Sequence, residues 1–363
     1  MRRTRSALML SALLAAVPAG VRAETSSWTH RPDNAEQTLP APASKKKVAP
    51  TVVQPSKRGT PKTLDSGTSV HSKPEGSAAA TEDAAYIAFD QGKYLTALSL
   101  AEEAAGRGDP QAHTLIGRIY AEGLGVGRDE ETAVRWYARG AELGDVQAVF
   151  AMGVMLAEGR GIKKDRAAAA EMFERAARTG HVLANYNLGL LFLTGDGKPE
   201  NPYRGAQHIG YAASKGVAAA QYDFGTLYQQ GVGVPNDALE ASRWIGKAAE
   251  QGHAAAQYEY AVMLLRGLGL TRDEPKAIGY LKSAAENGIA GAQNRLAHLY
   301  AEGVGVKKNA KEAAKWRLIA KAGGVKDDPV LDVLVAALSK SDRTAAEKAA
   351  TEWREKSQIQ LIE

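Results

Sequence analysis

The chain has 363 residues, 46 Lys/Arg against 41 Asp/Glu, 37 glycines, 6% aromatics and no cysteine. The lack of cysteine excludes disulfides, thiolate metal sites, a cysteine nucleophile and a lipidated N-terminal cysteine, and abundant small residues with few aromatics favour close-packed helices. The net charge of +5 divides into +4 on residues 1–23, +3 on residues 24–81 and −2 on the remainder, so the charge gives no ground for a nucleic-acid partner.

Residues 1–23 read as a signal peptide: MRRTR is a basic start, ALMLSALLAAV an apolar run, and Val21-Arg22-Ala23 ends in a small residue suited to cleavage. The apolar run is short for a bilayer span, so no membrane span is expected once the segment is removed; an uncleaved anchor is the alternative. Arg2-Arg3 is not followed by the rest of a twin-arginine motif. Residues 24–81 hold seven of the fourteen prolines and a single aromatic, Trp28. Such a segment cannot bury enough apolar surface to offset its ordering entropy, and a disordered Pro/Ser/Lys-rich linker is expected. Lys45-Lys46-Lys47 reads as a solvated charge run, with contact to an acidic surface such as the cell wall as the alternative.

Beyond Thr81 the chain repeats itself. In YAEGLGVGRDEETAVRW, Gly123, Gly125 and Gly127 resemble a phosphate-cradling loop, but such a loop occurs once per site, follows a strand and opens a helix. Here the first glycine recurs every 36 residues, at Gly159, Gly195, Gly231, Gly267 and Gly303, and the second at Gly161, Gly197, Gly233, Gly269 and Gly305, each time after a helical segment such as AHTLIGRIYAEG. Gly127 has no counterpart. The glycines are therefore turns, the first closing a helix in the left-handed conformation. Six residues after each first glycine stands an N-capping side chain: Asp129, Asp165, Asn201, Asp237, Asp273 or Asn309. Glu240 and Glu312, three past their caps, predict reciprocal capping pairs.

Each unit is thus helix A, a Gly-x-Gly turn, helix B and a second glycine turn (Gly108, Gly144, Gly180, Gly216, Gly252, Gly288, Gly324). On helix A, an alanine (Ala112, Ala148, Ala184, Ala220, Ala256, Ala292) is followed four residues later by Ile116, Met152, Leu188, Phe224, Tyr260 or Leu296, which predicts a buried stripe. Gly117, Gly153, Gly189 and Gly225 beside it predict close backbone approach. Helix B repeats Ala133, Ala169, Ala241, Ala277 and Ala313, and the bulky Trp136, Met172, Trp244, Tyr280 and Trp316, for which core packing is expected; the third unit breaks both rows with Gly205 and His208.

The register A…LG…Y..G.GV..D...A..W...AA..G, as in AQYDFGTLYQQGVGVPNDALEASRWIGKAAEQG, closely resembles the Sel-1-like repeat, a longer-looped relative of the tetratricopeptide repeat. The resemblance covers residues 108–324 as six 36-residue repeats. Residues 82–107, with AAYIAFDQGKYLTALSLAEEAAGRG, resemble a tetratricopeptide-type capping hairpin, and residues 325–363, with helices from Asp328-Pro329 and through TAAEKAATEWREK, a C-terminal helical cap. The resemblance implies an all-α right-handed solenoid of helix–turn–helix repeats.

The histidines do not form a site pattern: no pair has the i, i+4 spacing of a helical zinc site, and His181 and His253 share a turn position 72 residues apart. No serine lies in a nucleophile elbow. A site assembled across units, in which Asp223, Glu259 and His298 approach one another, is the catalytic alternative. Two hydrophilic rows on one face of helix A vary from unit to unit: Asn187, Asp223, Glu259 and Arg295, and, three residues on, Arg118, Thr226 and His298. These seven are the candidate partner-binding residues, a varying solvent-facing row being the plainer reading. The family resemblance implies a non-enzymatic protein–protein adaptor or regulator in the bacterial periplasm, binding on the concave helix-A face without cofactor or metal, to a partner such as an envelope sensor or assembly component. A wall-associated structural protein and a β-lactam- or peptidoglycan-active enzyme are the alternatives; the enzymes among exported relatives carry paired cysteines in each repeat, which this chain lacks.

Overall fold

The computed structural model describes residues 78–360, with side chains from residue 84 to 357. The signal segment and nearly all of the expected linker lie outside these residues. At the linker's end the boundary differs from expectation: helix α1 (Ala78–Asp90) takes in the last four residues assigned to the linker, because the Ala78-Ala79-Ala80 run is strongly helix-forming.

Among the described residues all regular structure is helical. Following α1 and α2 (Tyr94–Gly106) come six hairpins of paired 13-residue helices: α3 (Pro110–Glu122) with α4 (Glu130–Glu142), α5 (Val146–Glu158) with α6 (Arg166–Arg178), α7 (Val182–Thr194) with α8 (Pro202–Ser214), α9 (Ala218–Gln230) with α10 (Ala238–Glu250), α11 (Ala254–Arg266) with α12 (Glu274–Glu286), and α13 (Ala290–Glu302) with α14 (Ala310–Ala322). Then follow α15 (Pro329–Ala337) and α16 (Lys340–Gln360). The described residues group into two compact units, one running to His208 and one from Ile209.

The turn between helices A and B is built the same way each time. Gly123 ends α3 at φ 67°, its N–H donating to the Ile119 carbonyl, which a residue with a Cβ would do only under strain. The second glycine serves space as well as conformation: a Cβ on Gly161 (φ 63°) would overlap the Glu130 carbonyl at the start of the preceding helix B. Helix B then starts on its N-cap side chain, Asp129 accepting from the Thr132 N–H and Asn201 from the Arg204 N–H.

The reciprocal half of the expected capping pairs does not form. The Asp237 and Asn309 side chains accept from the Glu240 and Glu312 N–H groups, but the cap residues' own N–H groups are already donated to the Tyr228 and Tyr300 carbonyls at 3.0 and 2.9 Å. With nothing left to bind at the cap, Glu240 pairs with Arg243 and Glu312 with Lys315.

Packing follows the helix-A stripe with one shift. The repeated alanines Ala112, Ala148, Ala184, Ala220, Ala256 and Ala292 are all buried. On helix B the deepest row lies one residue past the bulky row read from the sequence: Tyr137, Phe173, Ile209, Ile245 and Leu281 are buried, whereas Trp136, Met172, Trp244 and Tyr280 are half-buried and Trp316 alone in that row is buried. The helix-A glycines make room for this deeper row. A Cβ on Gly117 would lie 2.7 Å from the Tyr137 ring, one on Gly153 2.7 Å from Phe173, and one on Gly225 2.6 Å from Ile245. A second buried row is polar. Asn185 donates to the Ala177 and His181 carbonyls, Gln221 to Ala213, Gln257 to Ala249 and Gln293 to Ala285, so carboxamides satisfy carbonyls of the preceding helix B's last turn.

The turn geometry predicts unequal costs for two glycine substitutions. Gly144 has φ 95° and open space where a Cβ would go, so Gly144→Ala should cost about 1 kcal/mol. Gly161→Ala, with the overlap added, should cost about 1–3 kcal/mol more in urea unfolding. Equal costs would show that the second glycine is not needed for close approach.

Candidate interaction surface

The seven candidate residues divide by what their side chains already do. In the unit ending at His208, Asn187 is 1% exposed and sits within the core of α7, so it is not a surface residue. Helix A packs against its own helix B and against neighbouring hairpins, and one polar residue in a helical row can therefore fall inside. Arg118 is half-buried, donates to Glu122 at 2.9 Å and lies over the Phe89 ring at 4.7 Å, which joins α3 to the N-terminal hairpin.

In the unit from Ile209, Thr226 donates to the Tyr222 carbonyl of its own helix at 3.0 Å. His298 is held by Asp328, Nε2 to Oδ2 2.6 Å, and Asn294 donates to the same oxygen at 2.9 Å. Burial pushes the Asp328 carboxyl up, but hydrogen bonds from Asn294, His298 and the Leu331 N–H outweigh it and hold the group below the usual range. Asp328 is the N-cap of α15, so His298 anchors the C-terminal cap and does not join Asp223 and Glu259 in a catalytic set.

Asp223, Glu259 and Arg295 form one row on consecutive helices A, the two carboxylates half-buried and Arg295 exposed. Gln229 of α9 donates to Glu259 of α11 at 3.2 Å, which places neighbouring helices A in side-chain contact. Burial, then the charges of Asp223 and Glu259, push the Tyr222 phenol up, and burial with Glu259 does the same to Tyr258 against a lowering influence of Arg295. The row is therefore an electrostatically continuous strip, negative, negative, positive, bordered by two half-buried tyrosines.

Sequence reading missed the role of two histidines. His181 Nδ1 accepts from the Ala184 N–H at 3.1 Å and caps α7, its Nε2–H donates to Gln147 Oε1 at 3.3 Å, and its ring stacks on Phe150 at 4.5 Å. His253 caps α11 through the Ala256 N–H and stacks on Tyr222 at 4.8 Å. The signal was their shared turn position, where Asp109 and Asp145 cap in other repeats. An accepting Nδ1 requires neutral imidazole, and burial lowers the His181 pKa to about 4.

Two open depressions lie beside helices B in the unit from Ile209. One of about 640 Å³ is lined by Tyr260, Leu264, Leu270 and residues 271–276; another of about 380 Å³ lies between Trp244, Lys247 and Tyr260. In the second, the Ser242 hydroxyl is engaged by the Leu239 and Gly269 carbonyls. Among the described residues no group of three His, Asp or Glu side chains could hold a metal ion, and no helix is long and apolar enough to cross a membrane.

The hairpins match the Sel1 repeat family six times in succession, at residues 110–145, 146–181, 182–217, 218–253, 254–289 and 290–324. The chain belongs to the Sel1 repeat family, an all-α solenoid class related to tetratricopeptide repeats, whose repeats generally mediate protein–protein interaction. It is similar to a Sel1 repeat protein from Oxalobacter formigenes, with 30% identity and a TM-score of 0.60, over 69% of this chain and 98% of that one. It is also similar to a protective antigen with an SLR fold present in uropathogenic Escherichia coli strains, with 29% identity and a TM-score of 0.65, over 79% of this chain and 62% of that one. No curated protein matches the chain.

The capping histidine predicts a pH dependence. With a folded pKa of about 4 and an ordinary unfolded value of 6.5, protons bind the unfolded chain first between these limits. Stability is full above pH 6.5 and falls at about 1.4 kcal/mol per pH unit down to about pH 4. His181→Asn keeps a capping side chain without the titration, as Asn201 and Asn309 do. It should narrow the stability difference between pH 7 and pH 4.5 by about 2 kcal/mol in urea unfolding; an unchanged difference would show that His181 does not cap as neutral imidazole.

Proposed function

We propose that this protein is a non-enzymatic interaction scaffold of the bacterial envelope, exported to the periplasm, that binds a protein partner on the helix-A face of its later repeats. The reading rests on Asp223, Glu259 and Arg295: at one register of three consecutive helices A, the side chain changes in size and sign while the alanine three residues earlier stays buried in each. Packing demands uniformity; a recognition row differs from repeat to repeat because each repeat meets a different part of the partner. Export is supported by the basic start and apolar run of residues 1–23. Arg118, Asn187, Thr226 and His298 have structural roles in this reading and leave the binding surface.

The test is photocrosslinking from the helix-A face in intact cells, followed by affinity purification. Asp223→Lys with Glu259→Lys should lower recovery of the crosslinked partner about tenfold, equivalent to about 1.4 kcal/mol, while leaving the melting temperature within a few degrees. Undiminished recovery from the folded double variant would move the binding surface elsewhere.

A further inference from the structure

The row that carries the proposed function has an order of charge as well as a position, and the inference that follows rests on that reading. We propose that the helix-A face of α9, α11 and α13 takes an extended segment of its protein partner in which two basic residues stand three apart and an acidic residue stands three further on.

The spacing comes from the packing. Asp223, Glu259 and Arg295 occupy the same position of three successive repeats, 36 residues apart in sequence. Their helices are direct neighbours: Gln229 of α9 reaches both Glu259 and Met263 of α11, and a Cβ on Gly291 of α13 would lie 3.2 Å from the Tyr258 ring of α11. Helices packed through their side chains lie about 8–10 Å apart. An extended segment of the polyproline II type rises about 3.1 Å per residue with three residues per turn, so residues three apart share one face and cover one repeat step, and six cover two. A helical segment rises about 1.5 Å per residue and returns to the same face after about seven residues, so its charges would stand about seven apart, which makes the two modes distinguishable by sequence alone.

The order comes from charge complementarity. Two half-buried carboxylates followed by an exposed guanidinium match basic, basic, acidic along the partner, in either chain direction. A segment in the wrong register sets like charges opposite one another, so the row specifies register more strongly than it adds affinity. Tyr222 and Tyr258 border the carboxylates and give the aliphatic stems of partner lysines or arginines an apolar surface to lie on. All of this lies within the unit from Ile209.

The test is a random dodecapeptide library displayed on phage, panned at low salt against the purified chain. It is repeated against the triple reversal Asp223→Lys, Glu259→Lys, Arg295→Glu and the neutral triple Asp223→Asn, Glu259→Gln, Arg295→Gln, each first checked by circular dichroism for a retained melting transition. The native chain should enrich peptides with basic, basic and acidic residues at steps of three, and the reversal should enrich the opposite signs at the same steps. By fluorescence anisotropy, a peptide selected on the native chain should bind the reversal at least tenfold more weakly. Enriched charges at steps of seven, or no common spacing, would overturn the extended docking. Peptides bound equally by all three chains would overturn the charge order while leaving a peptide-binding scaffold in place; no enrichment on any of the three would overturn both readings.

Discussion

Each of the six repeat hairpins depends on one backbone hydrogen bond. The N-cap residue of each helix B donates its N–H to the carbonyl of a helix-A residue nine positions earlier: Asp129 to Tyr120, Asp165 to Leu156, Asn201 to Phe192, Asp237 to Tyr228, Asp273 to Leu264 and Asn309 to Tyr300, at 2.7–3.1 Å. One bond thus satisfies a carbonyl near the end of one helix and the donor at the start of the next, two of the groups that helix ends otherwise leave open. It closes a loop that can be this short only because both glycines adopt left-handed conformations. With the turn so closed, the second glycine can lie against the start of the previous helix B, and a feature of one hairpin becomes a contact between hairpins.

The same economy of groups links successive repeats. The Asp145 side chain accepts from Thr114 of the preceding helix A as well as from its own helix's Ala148 N–H, and His181 reaches back to Gln147 while capping α7. At the C-terminal end the pattern changes because no further repeat follows α14. Arg317 stands where five earlier repeats place Tyr137, Phe173, Ile209, Ile245 and Leu281, and it is 1% exposed. It binds both oxygens of Asp332 at 2.8 and 3.0 Å, the Asn294 side chain and the Lys326 carbonyl. A buried guanidinium is tolerated only with its donors satisfied, and here they fasten α15 over the last hairpin, while Trp353 of α16 meets Trp316 edge-on at 5.9 Å. The array thus ends in a polar clamp at the position where the earlier repeats bury an apolar or aromatic side chain.

Much of the architecture was legible because a turn that needs glycine at two fixed places writes its period into the sequence, and N-capping needs a short polar side chain at a third. Depth was harder to read. Successive helical residues are turned by about 100°, so Trp136 and Tyr137 both flank the core, and size favoured the tryptophan although the tyrosine lies deeper. Asn187 looked like part of a surface row because polar residues usually face water, yet helix A is covered on several sides and admits polar groups wherever a partner satisfies them. The carboxamide row of Asn185, Gln221, Gln257 and Gln293 keeps the 36-residue period through the last four repeats, but its acceptors lie eight residues back on another helix, which no helical face pattern reveals. Of the seven candidates, Asp223, Glu259 and Arg295 are the ones on which the proposed surface is built.

Amide hydrogen exchange resolved by residue tests the central bond most directly. The account predicts that, in each Gly-x-Gly turn, the N-cap amides of residues 129, 165, 201, 237, 273 and 309 exchange at least a hundredfold more slowly than the amides three residues before them, giving a protection pattern with a 36-residue period. N-cap amides that exchange as fast as the rest of their turns would contradict it.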